Sequence, residues 1–204
     1  QNGLGNAEII AGHIDAGRIL AGTTAQGATL LGPGAIRHAG VGATRIGLWS
    51  GNAPETARPV VDLFNAAGIE TELMDDIKPL IWNKLLVNVG INAITALTGI
   101  KNGELLDLDA SRDLCRMAVE EAVALARSLG IEVMDNAVAH VFDVARATGA
   151  NRSSMGQDVD HQRLTEIAMI NGKVAQMAKE QGIDAPVNVA LGALVETLQG
   201  HYRH

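Results

Sequence analysis

Polar side chains recur at a regular spacing inside the most apolar segment of the chain. Residues 80–99 read LIWNKLLVNVGINAITALTG, and Lys84, Asn88 and Asn92 take positions i, i+4 and i+8 within it. On an α-helix these positions drift by only about 80° in total, so the side chains share one face. A polar seam against another helix or against water is one explanation. Because a buried ammonium group is costly without compensation, a ligand-binding cleft is the favoured one.

Lys84 is the candidate for acid–base chemistry. Burial disfavours a charged amine, so a pKa below the ordinary lysine value is expected, which suits a general acid near neutral pH. The histidines are scattered without metal-ligand spacing, and no metal is assigned. No Ser–His–Asp or Cys–His arrangement stands out, and the single cysteine, Cys115, is expected to be a buried structural thiol.

A second polar stretch reads NRSSMGQDVDHQRLTEIAMINGKV. Taken alone, its Ser154 is expected to cap a helix, with Asn151 and Ser153 as alternatives for the same role. Glu166 is expected on the solvated face of the middle of a helix, and Asp158 supplies favourable negative charge in a first turn.

The chain opens on Asn2-Gly3-Leu4-Gly5, which is typical of a loop at the end of a strand. Glycines there would let a ligand approach the backbone, although the spacing is not the GxGxxG dinucleotide fingerprint. Since the first residue is Gln1 rather than Met, we expect that upstream sequence is missing.

Two regions differ in their patterning. Residues 1–76 alternate short elements and are expected to form an incomplete α/β unit, whereas residues 77–204 show helical periodicity and are expected to be an all-α domain. The strands are predicted at 18–24, 35–39, 45–49 and 69–74. The helices are predicted at 7–16, 52–67 (capped by Asn52), 77–98, 109–129, 134–147, 157–181 and 187–200.

Composition excludes some classes of function. Of the 204 residues 47% are hydrophobic but only 2% aromatic, so the core must pack from Ala, Val, Leu and Ile. The net charge of −7, without a basic cluster among aromatics, argues against nucleic-acid binding. The most apolar stretch, Ile81 to Ile100, is broken by polar residues, so no membrane span is predicted. Helices rich in small residues permit a homodimer.

These segments together resemble the ketopantoate reductase family. The lysine-bearing helix and the NRSSMGQD stretch are its two specific motifs; QNGLGN, PGAIRHAGVGATRIG and GIDAPVNVAL also match, in order. The resemblance implies a Rossmann domain that binds NADPH, followed by a helical domain similar to that of 6-phosphogluconate dehydrogenase. It implies a cytoplasmic enzyme that reduces the 2-keto acid ketopantoate to pantoate for pantothenate and coenzyme A synthesis.

The resemblance also assigns roles to residues. Lys84 resembles the catalytic lysine that protonates the ketone oxygen, and Glu166 the active-site glutamate that holds the lysine and a substrate hydroxyl. Asn2 resembles an asparagine near the nicotinamide, and is taken as cofactor-binding. Three polar residues resemble the substrate-binding set: Asn88, Asn92 and Ser154.

Two alternatives remain open. One is a relative that reduces a different 2-keto acid, because shared motifs need not determine the substrate. The other is a helical binding or dimerisation module without catalysis, against which the presence of both Lys84 and Glu166 argues. The Gly-rich phosphate loop and the residues that select NADP over NAD are expected upstream, so the 204-residue chain by itself is not expected to bind the cofactor properly.

Overall fold

The computed structural model describes residues 2–51 and 53–202, so the predicted helix cap at Asn52 lies outside the described residues. The chain divides into two compact units. One runs from Asn6 to Ile81; the other joins the residues up to Gly5 with those from Trp82 onward.

The Asn6–Ile81 unit is a small α/β assembly. Its elements are α1 (Asn6–Ala11), β1 (Leu20–Thr24), β2 (Gly27–Gly32), β3 (Ala35–Gly40), β4 (Thr44–Leu48), α2 (Arg58–Ala66) and β5 (Thr71–Met74). Strands β1, β4 and β5 form one sheet, in which β4 pairs antiparallel with β1 and parallel with β5. Helix α2 connects the parallel pair. Strands β2 and β3 form a separate antiparallel hairpin.

The four predicted strands are confirmed as β1, β3, β4 and β5, whereas β2 was not predicted. Helix α1 is shorter than the predicted 7–16, and α2 begins only after a 3₁₀ turn at Pro54–Ala57. The predicted stop after α2 is confirmed. Gly68 has φ of 79°, and the Ile69 N–H donates to the Phe64 carbonyl at 2.9 Å, which closes the helix end.

The second unit is helical. Its helices are α3 (Lys78–Thr98, apart from its first four residues), α4 (Asp109–Ser128), α5 (Ala137–Ala147), α6 (Ser154–Asp160), α7 (Asn171–Glu180) and α8 (Pro186–Gln199). The predictions for α3, α4 and α8 are correct to within one residue at each end. Helix α5 starts three residues later than predicted.

The predicted helix 157–181 is wrong. Helix α6 ends at Asp160, and α7 begins only at Asn171. The break is a left-handed helix stop, in which the Gln162 N–H donates to the Val159 carbonyl and the Arg163 N–H to that of Asp158. Gln162 adopts φ of 53°, a conformation that favours glycine. The end of α6 was not predicted from the sequence, because the residue in the left-handed conformation is not a glycine.

Helix α3 is the core of the helical unit. A Cβ on Gly90 would lie only 2.8–2.9 Å from side-chain atoms of Val119, Cys115 and Val141, so α4 and α5 approach the α3 backbone very closely. This is the aromatic-poor helix packing that the composition predicted. The predicted burial of Cys115 is confirmed: it is completely buried, and burial raises the pKa of its thiol to about 12, which disfavours the nucleophilic thiolate.

The argument from the polar interruptions of helix α3 against a membrane span is wrong. Helix α3 is long and apolar enough, by length and composition, to cross a membrane, despite its polar interruptions. However, 61% of its most apolar window is buried inside the fold, as in the core helix of a globular domain.

Candidate active site

Helix α3 presents the predicted polar face. Lys84 and Asn88 are half-buried and Asn92 is only 6% exposed, all on one continuous helix. Burial lowers the pKa of Lys84 below its ordinary value, and the negative charge of Glu166 partly opposes that shift. The structure therefore brings Lys84 and Glu166, 82 positions apart in the sequence, within electrostatic range of each other.

Glu166 does not lie in the middle of a helix, as the residue pattern alone had suggested. It precedes a short 3₁₀ turn, Ile167–Met169, in the connection between α6 and α7. Both carboxylate oxygens are bound by Asn2. The Asn2 backbone N–H donates to Oε1 at 3.0 Å, and Asn2 Nδ2 donates to Oε2 at 2.8 Å. Two donors from one residue hold the carboxylate plane in a single orientation.

The opening glycines pack against protein rather than against a ligand. The Leu4 N–H donates to the Met169 carbonyl at 2.8 Å, and Leu4 itself is only 4% exposed. A Cβ on Gly3 would lie 2.1 Å from that same carbonyl oxygen. A Cβ on Gly5 would lie 3.5–3.6 Å from side-chain atoms of Met169 and Lys173. These glycines therefore let the opening segment dock beside Glu166, and ligand approach to their backbone stays a prediction.

Asn88 carries an unused hydrogen-bond donor. Its Nδ2 is buried, and no described residue accepts a hydrogen bond from it. Leaving such a group unsatisfied costs on the order of 1–3 kcal/mol, so a bound acceptor would be favoured there. Asn88 lies one helical turn beyond Lys84, where a ligand that reaches the lysine could supply that acceptor.

The two serines at the start of α6 have different roles. Ser153, not Ser154, caps the helix: its Oγ accepts from the Gly156 N–H at 3.0 Å and from Thr95 Oγ1 at 2.7 Å. Ser154 is the first residue of α6 and is exposed. The interpretation of Ser154 as a cap is therefore wrong, and its hydroxyl is not used in capping.

Asp158 lies within electrostatic range of Glu166, which the sequence analysis did not predict. It lies in the second turn of α6 rather than the first, and it is half-buried. Burial raises the pKa of its carboxyl, and the nearby charge of Glu166 raises it further. One signal could have revealed its position: Asp158 follows Ser154 by four residues, which puts both on one helix face.

Within residues 2–51 and 53–202, no group of three or more His, Cys, Asp or Glu could hold a metal.

Comparison with known proteins covers both units. The family model described as ketopantoate reductase PanE/ApbA C terminal matches residues 76–199, and the ketopantoate reductase PanE/ApbA model matches residues 1–51. A 2-dehydropantoate 2-reductase of Halobacterium salinarum is 39% identical over 98% of the chain. The chain spans only 66% of that relative's length.

Two solved structures share the fold. A PanE/ApbA family ketopantoate reductase from Ralstonia eutropha has a TM-score of 0.90 and 27% identity, and the match covers 100% of this chain and 66% of that one. D-mandelate dehydrogenase in complex with NADH has a TM-score of 0.92 and 26% identity, covering 99% of this chain and 69% of that one. The predicted fold class, part of a Rossmann-type domain followed by a helical domain, is confirmed.

Proposed function

Because this chain belongs to the ketopantoate reductase family, we propose that the protein reduces 2-dehydropantoate (ketopantoate) to pantoate with a reduced nicotinamide cofactor. One observation carries the proposal: a half-buried lysine lies within electrostatic range of a glutamate whose two carboxylate oxygens are both bound by Asn2. That pairing supplies a proton donor and a fixed negative charge in one site.

In the proposed mechanism the proton comes from Lys84. When bound, a reduced nicotinamide would supply the hydride for the ketone carbon. Lys84 Nζ gives a proton to the ketone oxygen, so that the carbonyl becomes a secondary alcohol. The lowered pKa of Lys84 favours release of that proton, and before transfer the ammonium charge stabilises the developing alkoxide.

Glu166 has the role of holding the lysine. Its charge opposes the effect of burial on the pKa of Lys84, which helps keep the amine protonated until the substrate is bound. The two bonds from Asn2 orient the carboxylate without neutralising it, so Glu166 can also accept a hydrogen bond from a substrate hydroxyl.

The remaining polar residues are proposed to bind the substrate. Asn88 offers its unpartnered Nδ2 to a substrate oxygen, and Asn92 extends the same face of α3. Ser154 presents a hydroxyl that is not used in capping α6. Such groups fix the orientation of a keto acid, and a fixed orientation contributes strongly to rate.

Asn2 is proposed to lie at the nicotinamide end of the cofactor. Its Nδ2 is bound to Glu166, which leaves the side-chain carbonyl Oδ1 as an acceptor for an amide such as the nicotinamide carboxamide. The opening glycines pack against Met169 and Lys173 on the side where a Cβ would lie. Among described residues, the fit therefore supports contact with the nicotinamide only. We propose NADPH as the form used, and the cytoplasm as the location of the enzyme.

A second substrate class has specific support. The likeness to D-mandelate dehydrogenase is as strong as that to the Ralstonia reductase, so the same scaffold accommodates another 2-hydroxy acid in a related protein. The alternative is therefore reduction of a different 2-keto acid by the same residues.

Oxidation of NADPH by the full-length gene product, with ketopantoate beside a panel of other 2-keto acids that includes benzoylformate, tests the proposal. We expect ketopantoate to give the highest kcat/KM, and NADPH to be preferred over NADH. Activity confined to another keto acid would keep the chemistry and change the substrate. A folded protein that turns over none of them would favour the non-catalytic module instead.

A further inference from the structure

Arg152 joins the two helices that carry the proposed substrate-binding residues. Its Nη1 donates to the carbonyl of Thr95, near the end of α3, and to that of Ile100 at 2.9 Å. Its Nε and Nη2 each donate to one oxygen of Asp160, the last residue of α6, both at 2.9 Å. One guanidinium therefore bridges the carboxyl-terminal ends of both helices.

The guanidinium of this bridge is largely buried and lies close to the backbone of α6. The Arg152 side chain is only 17% exposed, although Asp160 is 49% exposed. A Cβ on Gly156 would lie 2.6 Å from Cζ of Arg152, so the guanidinium lies directly against the α6 backbone. A planar group with five donors satisfies two carbonyls and one carboxylate at once, which the point charge of lysine would not do equally.

The bridge favours one placement of α6. Carbonyl groups at the end of a helix carry partial negative charge, so a cation there is stabilised. Ser153 adds a second link, because its Oγ accepts from Thr95 Oγ1 at 2.7 Å. Both links precede Ser154 directly in the sequence, and they leave it little freedom relative to α3.

We infer that Arg152 is a positioning residue, which places Ser154 on α6 against the α3 face that bears Lys84, Asn88 and Asn92. This inference rests on the proposed function. Arg152 has no role in the proposed proton transfer, because its donors are bound to Thr95, Ile100 and Asp160. Its loss should therefore weaken keto acid binding without altering the chemical step.

The test compares Arg152→Gln, Arg152→Lys and Asp160→Asn with Arg146→Gln. The last variant is a matched control, because it breaks an exposed ion pair of Arg146 with Asp143, 2.7 Å apart on α5. We expect Arg152→Gln to raise the KM for the keto acid about tenfold, with kcat within about twofold and NADPH affinity unchanged. Arg152→Lys and Asp160→Asn should give smaller increases, and Arg146→Gln none.

A double variant separates positioning from general loosening. If Arg152 acts through Ser154, adding Arg152→Gln to Ser154→Ala should raise KM no further. Hydrogen exchange of the α6 amides should be faster in Arg152→Gln than in wild type, and unchanged in Arg146→Gln.

The outcomes are distinct. Wild-type turnover with an unchanged KM in Arg152→Gln, or a KM increase that multiplies with that of Ser154→Ala, would overturn this inference and leave the proposed function intact. A wild-type protein inactive on every keto acid would instead contradict the proposed function, and the positioning role with it, even if exchange in α6 is faster in the variant.

Discussion

The half-buried charge of Lys84 lowers the stability of the fold and suits the residue to proton transfer. Burial lowers its pKa, which means that the folded protein disfavours the ammonium form relative to the unfolded chain, even with Glu166 nearby. Between the lowered pKa and the ordinary value near 10.5, the unfolded chain binds more protons than the folded one. The contribution of Lys84 to stability is therefore unfavourable at neutral pH, and that penalty disappears as the pH rises through this window.

Lys84→Met should separate activity from stability. We expect kcat to fall by roughly 10²–10⁴-fold, the usual range for loss of a general acid. The free energy of unfolding in urea at pH 7 should be unchanged or higher, because a penalised charge has been removed. Lys179→Met, at an exposed lysine on α7, should change neither quantity. Near-normal kcat in Lys84→Met would remove Lys84 from the proposed mechanism.

The same pKa shift predicts a pH profile for the wild-type enzyme. Because the proton donor must be protonated, kcat should fall as the pH rises through the lowered pKa of Lys84. The stability difference between Lys84→Met and wild type should shrink over the same rise. Kinetics and urea titrations at matched pH values measure both, and a kcat that is flat up to the ordinary lysine pKa would contradict the assignment.

Alanine substitutions at two helical glycines, Gly90 on α3 and Gly192 on α8, test how closely the helices pack. At Gly90 a Cβ would lie 2.8–2.9 Å from atoms of α4 and α5, whereas at Gly192 on α8 the nearest atom is 3.7 Å away. Gly90→Ala should therefore destabilise the protein by ~1–3 kcal/mol through overpacking. Gly192→Ala should stabilise it by up to ~1 kcal/mol, since alanine favours the helix. Urea denaturation of both variants measures this, and equal effects would contradict the close packing of α3.

Elements with glycine stops and strong periodicity were predictable. Helices α3 and α4 were found from apolar runs that end at Gly99 and Gly130, both of which have positive φ. The break between α6 and α7 was not, because Gln162 takes the left-handed position that usually signals glycine. Strand β2 was missed because Leu30 and Leu31 are both exposed and give no alternation of buried and exposed side chains.

The site was only partly accessible from the sequence. The shared face of Lys84, Asn88 and Asn92 follows from helix periodicity alone. The contact of Asn2 with Glu166 spans 164 positions, and no local pattern predicts such a pairing. Resemblance to a family suggested that Asn2 and Glu166 belong to one site, but the bidentate contact between them required the structure.

Organisation of the whole chain remains a proposal. We propose a nucleotide-binding part over residues 1–76 and a helical domain over residues 77–204, which keeps α3 intact. The compact units differ from this division in two ways: the boundary falls within α3 after Ile81, and the residues up to Gly5 join the helical unit. That association is consistent with the buried Leu4, which belongs to the helical core although it precedes the α/β unit in sequence.

Limited proteolysis with trypsin should show which part of the molecule opens most easily. The β2–β3 hairpin pairs with no other described strand, and Leu30 and Ile36 are more than 70% exposed. Two-stranded ribbons of this kind are marginally stable, so the first cut is expected after Arg37 in β3. Cleavage within α4 should come much later, because its backbone is protected by helical hydrogen bonds and by packing.

The matched variant is Arg37→Gln, which removes the expected first site without touching a buried contact, since Arg37 is exposed. It should delay the first cleavage and shift it to Arg18 or Arg45, because Arg58 and Lys78 are each followed by proline and trypsin does not cut there. A fragment that contains α3 to α8 should persist in both proteins. Mass spectrometry of the early fragments identifies the sites. Early cuts inside α4 in either protein would mean that the helical part does not outlast the α/β part, which would contradict the proposed helical domain.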